Sequence, residues 1–385
     1  MMKIGLVKRT FRLQGGGERQ IAYLIEGLLA RGHEVELLSQ QPPAGTLAAS
    51  VRWRRVPALP TPPALRTLSF ALGTRAAIRR GGLTLVQSFE RTLGQQIYRA
   101  GEGVHREWLA RKRPTLPPLA RGWSYIRPVD RVMLALERRV FTETPHIVTN
   151  SMQARQDIMR HYGIPASRMQ VIYNGVEHAR FHPDVRARFR EQQRAAWGVA
   201  ADEMVLLLVG SGFHRKGLSY LLQALGELHR RGITHVRAVV VGKGHPRPYQ
   251  RLAARLGVAD RVHFAGLCPE VERLYAAADV LVLPTLYDPF ANACLEAMAC
   301  GLPVLTTDAN GAAELLHDGI NGCVLKTPLS PETLVERLYD LLTSQRRQAL
   351  AEAGYHTACE YPFSQALDQT LQVYESALAW HGPTG

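Results

Sequence analysis

Cysteine is scarce in this sequence, and the few that occur are not arranged in pairs. The 385 residues include five cysteines, all after residue 267, and no Cys-x-x-Cys motif. A disulfide framework or a zinc ribbon needs paired spacings, so we expect buried, reduced thiols and a reducing cytosol. A zinc site at His178 and His182 is not favoured either, because the stretch lacks the His-Glu-x-x-His order.

Long apolar runs are also absent. No segment approaches the roughly 18 apolar residues of a membrane span, and the amino terminus has only the short run 4–7 between lysines. We therefore expect neither a visible secretion signal nor an integral membrane protein. Hydrophobic residues nevertheless make up 46% of the chain, which is enough for a full core and excludes disorder. The length predicts two domains.

Acidic residues are few in the first half of the chain. Before Arg180 there are 27 basic and 12 acidic residues, hence +15, whereas the remainder has 20 basic and 21 acidic residues, hence −1. Within the basic half, residues 106–139 mix cations with Trp and Tyr. An anionic membrane surface or a phosphorylated amphiphile favours this mixture, because aromatic rings lie at the interface and each nearby cation adds roughly 1 kcal/mol. A nucleic-acid face or a solvated arginine-rich surface would use the same charges. The candidate membrane or acceptor residues are Arg106, Trp108, Arg111, Lys112, Arg113 and Trp123.

Short β-branched runs alternate with helical patterns along the whole chain. Continuous apolar runs separated by helices are typical of parallel sheets that are covered on both faces. The sequence therefore predicts two successive doubly wound α/β domains, joined in the turn-rich stretch 174–183. The predicted strands are 3–7, 34–38, 83–87, 146–149, 169–173, 205–209, 236–241, 262–264, 280–283 and 303–306.

Two junctions between a strand and a helix carry residues suited to anions. Gly15, Gly16 and Gly17 precede a helix predicted from Glu18, where backbone N–H groups and the helix dipole favour an anion. Gln20 takes the last glycine's place in a dinucleotide motif and no Walker motif is present, so a simple flexible turn is an equal alternative.

The second junction has two fixed cations. Arg215 and Lys216 follow a predicted strand and precede a helix predicted near Leu218. This position at the carboxyl end of a strand suits a diphosphate whose leaving charge is neutralised without a metal.

A third element supplies two carboxylates. Asp288 follows a buried strand, and Glu296 lies about two turns into a helix predicted from near Ala291. Such carboxylates can bind sugar hydroxyls, and free N–H groups at positions 290–293 can face a phosphate or sugar oxygen. Acids at a helix start can also simply complement the helix dipole.

These three elements, in this order, resemble the retaining family 4 glycosyltransferases of GT-B fold. Residues 288–304 resemble the family's acid-x7-acid signature and the Glu-Ala-Met-Ala-x-Gly-x-Pro-Val that follows, and 174–183 resembles its interdomain hinge. The resemblance implies two Rossmann-like doubly wound α/β domains facing across a cleft. Residues 1–176 plus 363–385 would form the acceptor- and membrane-facing domain, with a final helix at 365–380 crossing back onto it, and 177–362 would bind the nucleotide sugar.

The same resemblance implies roles for individual residues. The glycine amides would meet the diphosphate, the cations would neutralise it, and Glu296 would hold the ribose hydroxyls. Asp288 would hold the donor sugar and is assigned a catalytic role with Glu102 and His105. No metal and no cofactor are implied. Asp288 departs from the usual glutamate and Ala291 from a common glycine, and either change can alter the sugar contacts. The implied donor-binding residues are Gly16, Gly17, Arg180, Arg215, Lys216, Phe290, Ala291, Asn292 and Glu296.

Within that family, residues 209–217, 276–279 and 301–307 give a closer resemblance to lipopolysaccharide-core glucosyltransferases. This resemblance implies transfer of glucose from UDP-glucose to a heptose of the core. The enzyme would act at the anionic cytoplasmic face of the inner membrane, and no nucleic-acid partner is implied. A mannosyl- or galactosyltransferase of another surface polysaccharide and a sugar-nucleotide epimerase are alternatives. A basic nucleic-acid-binding protein is the alternative outside enzymes, and it leaves the two loops at strand ends unexplained.

Overall fold

The chain folds into two compact units, Met1–Asn174 with Phe363–Gly385 and Gly175–Pro362. The boundary lies two residues before the one predicted from the sequence, and the last segment belongs to the first unit, as the resemblance implies. The computed structural model describes residues 1–11, 15–43, 47–117, 121 and 127–379.

The first unit is built on one parallel sheet. Its strands are β1 (Lys3–Val7), β2 (Glu34–Ser39), β3 (Arg52–Arg55), β4 (Leu85–Ser88), β5 (Ile97–Arg99), β6 (His146–Thr149) and β7 (Met169–Val171). They are hydrogen-bonded in the order β3-β2-β1-β4-β5-β6-β7. The order reverses direction beside β1, which places a crevice at the carboxyl ends of the strands in folds of this type.

Helices cover both faces of this sheet. They are α1 (Gly16–Ala30), α2 (Leu47–Ser50), α3 (Pro63–Arg79), α4 (His105–Lys112), α5 (Pro128–Glu143), α6 (Met152–Tyr162) and, at the end of the chain, α14 (Phe363–Ala379). On one face, α1 and α14 bury Ile25, Leu28 and Tyr374 against the sheet. On the other face, α3 and α5 pack together through a cluster that includes Ala71 and Leu136.

The second unit repeats the same plan. Its strands are β8 (Met204–Val209), β9 (Val236–Val241), β10 (Val262–Gly266), β11 (Val280–Leu283), β12 (Val304–Thr307) and β13 (Cys323–Leu325). They are all parallel and run in the order β10-β9-β8-β11-β12-β13. This is the order of a dinucleotide-binding doubly wound sheet, whose reversal lies between β8 and β11.

The helices of the second unit alternate with these strands. They are α7 (Val185–Ala196), α8 (Leu218–Arg230), α9 (Arg247–Arg255), α10 (Val271–Ala277), α11 (Asn292–Ala299), α12 (Pro331–Thr343) and α13 (Arg346–Cys359). Since β8 and β11 are buried along most of their length, their apolar runs read as continuous in the sequence. Two Rossmann-like units are therefore confirmed.

Gly217 fixes the start of α8 against the end of β11. Its φ is +73°, and a Cβ built on it would lie 1.8 Å from the carbonyl oxygen of Pro284. A side chain at this position therefore meets backbone strain and a backbone clash at once. Gly257 has the same φ of +73° but nothing within 4 Å of its Cβ position.

We expect Gly217→Ala to lower the free energy of unfolding by about 3 kcal/mol or more, because strain and clash combine. Gly257→Ala is the matched control and should cost about 1 kcal/mol, from strain alone. Urea denaturation of both variants measures the difference. Equal losses would show that the contact with Pro284 does not constrain the loop.

Candidate functional site

The carboxyl ends of β8 and β11 bring together the two cations and the first carboxylate predicted from the sequence. Lys216 Nζ lies 2.6 Å from Asp288 Oδ2, and Arg215 Nη2 lies 3.7 Å from the same oxygen. Lys216 and Asp288 are buried, whereas about a third of the Arg215 side chain is exposed. Because two cations share one carboxylate, this edge of the sheet keeps a net positive charge.

The loop between β8 and α8 makes room for the buried lysine. A Cβ on Gly210 would lie 2.7 Å from Lys216 Cε, so the glycine leaves space for the aliphatic stem. The amide of Leu286 donates to the carbonyl of Arg215 at 2.9 Å and ties this loop to the chain after β11. The local fold thus places both cations beside the segment that carries Asp288.

The surroundings of Asp288 keep its carboxylate charged. Burial alone would raise the pKa of Asp288, but Lys216 and Arg215 outweigh that effect and hold the pKa below its usual value. Its other oxygen, Oδ1, accepts a hydrogen bond from the amide of Phe290 at 3.1 Å. Asp288 therefore orients the buried ammonium, in addition to the sugar-holding role predicted for it.

Asn310 organises the loop that follows Asp288, and sequence reasoning missed it. Its Oδ1 accepts from the amides of Ala291 at 3.0 Å and Ala312 at 3.2 Å. Its Nδ2 donates to Thr306 Oγ1 at 3.0 Å and to Cys294 Sγ at 3.3 Å. The Asn-Gly pair just after β12, at the carboxyl end of a buried strand, was the available signal.

The expectation of free amides at the start of α11 is wrong for two residues. The amide of Phe290 is bound by Asp288 and that of Ala291 by Asn310. Both amides are buried, and a buried N–H needs a partner within the fold. Asn292 is the first residue of α11. Donor binding by these three residues stays a prediction.

Glu296 is buried on α11 and has a partner that the sequence did not reveal. The hydroxyl of Tyr275, on α10, donates to Glu296 Oε2 at 2.7 Å. Tyr275 is fully buried and Glu296 is 5% exposed. The tyrosine fixes the position of the carboxylate that was predicted to hold ribose hydroxyls.

Arg180 has strong contacts of its own. Its guanidinium donates to Glu272 Oε2 at 2.9 and 2.6 Å and to the carbonyl of Pro269 at 2.7 Å. A donor phosphate would have to compete with this ion pair, so diphosphate binding by Arg180 stays a prediction.

In the first unit, the glycine-rich junction opens α1. The helix begins at Gly16, two residues earlier than expected, with Gly15 in an extended conformation before it. Gly16 and Gly17 thus occupy the first turn, where N–H groups have no partner within the helix. This is the geometry that an anion-binding role for their amides requires.

A chain of alternating charges lines the carboxyl ends of β1, β4 and β5. Lys8 Nζ lies 2.9 Å from Glu90 Oε1 and 3.4 Å from Glu102 Oε1. Arg91 Nη1 lies 3.1 Å from Glu102 Oε2. Burial alone would lower the pKa of Lys8, but Glu90 and Glu102 outweigh it and raise the pKa above its usual value. Glu102, which was assigned a catalytic role, has a half-exposed side chain and is held by the buried Arg91 and the half-buried Lys8. Sequence reasoning missed both of these cations.

His105 begins α4 and is held by two acids of α5. Its Nε2 lies 2.9 Å from Asp130 Oδ1, and its amide donates to Glu137 Oε2 at 2.6 Å. Burial, aided by the nearby Arg91, lowers the pKa of His105, although Glu137 and Asp130 act in the opposite direction. The imidazole is therefore neutral near pH 7 and able to accept a proton.

The predicted membrane surface lies partly on α4. Glu107 accepts from Arg111 Nε at 2.6 Å, so that cation is compensated. Lys112 Nζ lies 6.0 Å from the ring centre of Trp108. No helix in the described parts of the chain is long and apolar enough to cross a bilayer. The structure describes Arg106, Trp108, Arg111, Lys112 and Arg113, and Trp123 lies outside the described residues.

Comparisons with known proteins match both halves of the chain. The sequence profile Glycosyltransferase Family 4 matches residues 14–180, and the profile Glycosyl transferases group 1 matches residues 189–357. The chain is 29% identical to the lipopolysaccharide glucosyltransferase WaaG of Escherichia coli over 89% of this chain and 91% of that protein. It is 28% identical to the MMP alpha-(1->4)-mannosyltransferase of Mycolicibacterium hassiacum over 98% of this chain and 99% of that protein.

A solved structure shows the same architecture. The crystal structure of WaaG, described as a glycosyltransferase involved in lipopolysaccharide biosynthesis, superposes with a TM-score of 0.84 at 26% identity. The match covers 96% of this chain and 99% of that one. The two-unit fold is therefore that of this glycosyltransferase structure.

We expect Tyr275→Phe to lower the free energy of unfolding by about 1.5–3 kcal/mol, because a buried carboxylate loses a hydrogen-bond donor. Tyr249→Phe is the matched control, since Tyr249 packs its ring on Phe213 in the same unit and should change stability little when the ring is kept. Urea denaturation compares them. A Tyr275→Phe protein as stable as the control would contradict the role given to this hydroxyl.

Proposed function

The chain belongs to glycosyltransferase family 4 and has the GT-B fold, and on that basis we propose that it transfers glucose from UDP-glucose to the heptose region of the lipopolysaccharide core. The reaction would retain the anomeric configuration and need no metal. The enzyme would work as a peripheral protein on the cytoplasmic face of the inner membrane.

The cluster of Arg215, Lys216 and Asp288 carries the donor half of this proposal. A glycosyl transfer from a nucleotide sugar releases a diphosphate, and the developing charge must be met by fixed cations in a site that excludes water. Two cations share one carboxylate at the edge of the sheet where such folds bind nucleotides. Glu296, held by Tyr275, would bind the ribose hydroxyls.

The first unit supports an acceptor role. Glu102 and the neutral His105 lie at the carboxyl ends of its strands, where carboxylate and imidazole groups can hold sugar hydroxyls and accept a proton. The basic surface of α4 would meet the anionic groups of a lipid-linked core. The similarity to WaaG supports this acceptor class.

A mannose donor is the second candidate. It is favoured by the relative named as a mannosyltransferase, which the chain matches over almost its whole length. The departure at Asp288, one methylene shorter than the usual glutamate, falls in the segment predicted to contact the sugar. Donor preference therefore separates the two candidates.

The deciding experiment measures UDP or GDP release by the purified protein with UDP-glucose, UDP-galactose and GDP-mannose. It is run in the presence of a metal chelator, with and without heptose-terminated lipopolysaccharide as the acceptor. We expect turnover of UDP-glucose that depends on the acceptor. Preferred turnover of GDP-mannose would replace glucose by mannose. Conversion of the donor into another UDP-sugar without acceptor and without UDP release would indicate an epimerase.

We expect Lys216→Ala to lower kcat by about a hundredfold or more, because the leaving diphosphate loses a preorganised cation. Binding to anionic vesicles should be unchanged, since Lys216 lies at the buried edge of the second unit. Lys326→Ala removes a lysine with an 88% exposed side chain and is the matched control, with normal turnover. Loss of vesicle binding in a folded Lys216→Ala protein would contradict this division of labour.

A further inference from the structure

The longest stretch of the chain without acidic residues lies outside the basic segment discussed so far. Residues 37–89 contain seven arginines and no aspartate or glutamate, hence +7. The segment 106–139 has nine basic and three acidic residues, hence +6. The acid-free stretch therefore carries at least as much of the positive charge of the first unit. It includes β3 and α3.

The outer face of α3 is apolar where a solvated helix face would be polar. Leu65 and Leu72 are 47% and 49% exposed, and Leu59, in the loop before the helix, is 49% exposed. Residues seven apart lie almost on the same side of a helix, so Leu65, Leu72 and Arg79 form one stripe. The amide of Leu59 donates to Ser69 Oγ at 2.9 Å, which places this leucine beside the same helix, so the three half-exposed leucines form one apolar patch.

The opposite side of α3 is fixed in the core of the unit. Phe70, Ala71 and Ala77 are buried against the sheet and α5. The exposed leucines cannot turn inward without pulling these residues out. The patch is thus a rigid feature of the surface and not a loosely packed helix.

Most arginines of the acid-free stretch have no carboxylate partner. Arg52 and Arg54, on β3, pair with Glu34 and Glu36 of the neighbouring strand. Within the described residues the other five arginines of the stretch form no ion pair with a carboxylate. They are Arg55, Arg66, Arg75, Arg79 and Arg80.

Exposed arginines on the neighbouring helix extend this positive surface. α3 packs beside α5, on the same face of the sheet. Arg131, Arg138 and Arg139 of α5 are exposed. Arg139 pairs with Glu143 at 2.7 Å, whereas Arg131 and Arg138 add exposed positive charge beside the apolar stripe of α3.

We propose that α3 binds an anionic lipid bilayer, through a surface formed by Leu59, Leu65, Leu72, Arg79 and Arg80. The leucines enter the interfacial region and the arginines bind anionic headgroups. The proposal rests on the membrane location given under the proposed function and adds a contact separate from α4. Exposed leucines favour lipid over nucleic acid, whose bases are bound by aromatic stacking and whose phosphates need no apolar stripe.

The test compares flotation of the full chain with phosphatidylcholine vesicles with and without phosphatidylglycerol. We expect the wild type to float with the anionic vesicles. Leu65→Gln combined with Leu72→Gln keeps the charge but removes the apolar stripe, and should weaken partitioning about tenfold or more. Leu267→Gln combined with Ile320→Gln is the matched control, because those side chains are 47% and 67% exposed on the second unit. It should float like the wild type.

Further measurements separate this proposal from its alternatives. Both double variants should keep the wild-type circular dichroism, turnover with a soluble acceptor fragment, and elution volume. Unchanged flotation of the Leu65/Leu72 variant would overturn the proposal and leave the transferase function intact. A change in oligomeric state caused by the same variant would assign the patch to a second copy of the chain. Binding to duplex DNA without binding to vesicles would also overturn it, and absence of donor turnover would contradict the proposed function separately.

Discussion

The buried ion pair between Lys216 and Asp288 is the constraint on which the donor half of the molecule depends. Removing an ammonium group from water costs several kcal/mol unless a carboxylate compensates it at close range. The 2.6 Å contact supplies that compensation. It also requires a glycine at position 210, so that the lysine stem can pass, and a loop after β11 that holds Asp288 in place. Two segments distant in sequence, the loop between β8 and α8 and the loop after β11, are thereby fixed relative to one another.

The first unit compensates buried charge in a similar way. Glu137 is fully buried, and it accepts hydrogen bonds from Arg91 and from the first amides of α4. Arg91 in turn holds Glu102 at the carboxyl ends of the strands. In both units a buried pair supports a more exposed charged group, Arg215 in one and Glu102 in the other. This arrangement leaves those groups positioned and accessible for a substrate.

Continuous apolar runs predicted most strands of the two sheets, because the central strands are buried on both faces. Three strands were not predicted. β3 is a charged edge strand that begins at Arg52, and β5 and β13 have only three residues each. Arg215, Lys216 and Asp288 were predictable because they lie at strand ends.

Their supporting partners were not predictable. Asn310 lies 19 residues from Ala291, and Tyr275 lies 21 residues from Glu296. Such pairings depend on how helices and loops meet in space. The expectation of free amides at the start of α11 was wrong for the same reason.

The most direct test of the central claim is a double-mutant cycle on the free energy of unfolding, with Lys216→Met, Asp288→Asn and the two combined. If the pair is the constraint, the double variant should retain about 1–3 kcal/mol more stability than the sum of the single losses allows. Losses that add to within about 0.5 kcal/mol would contradict it.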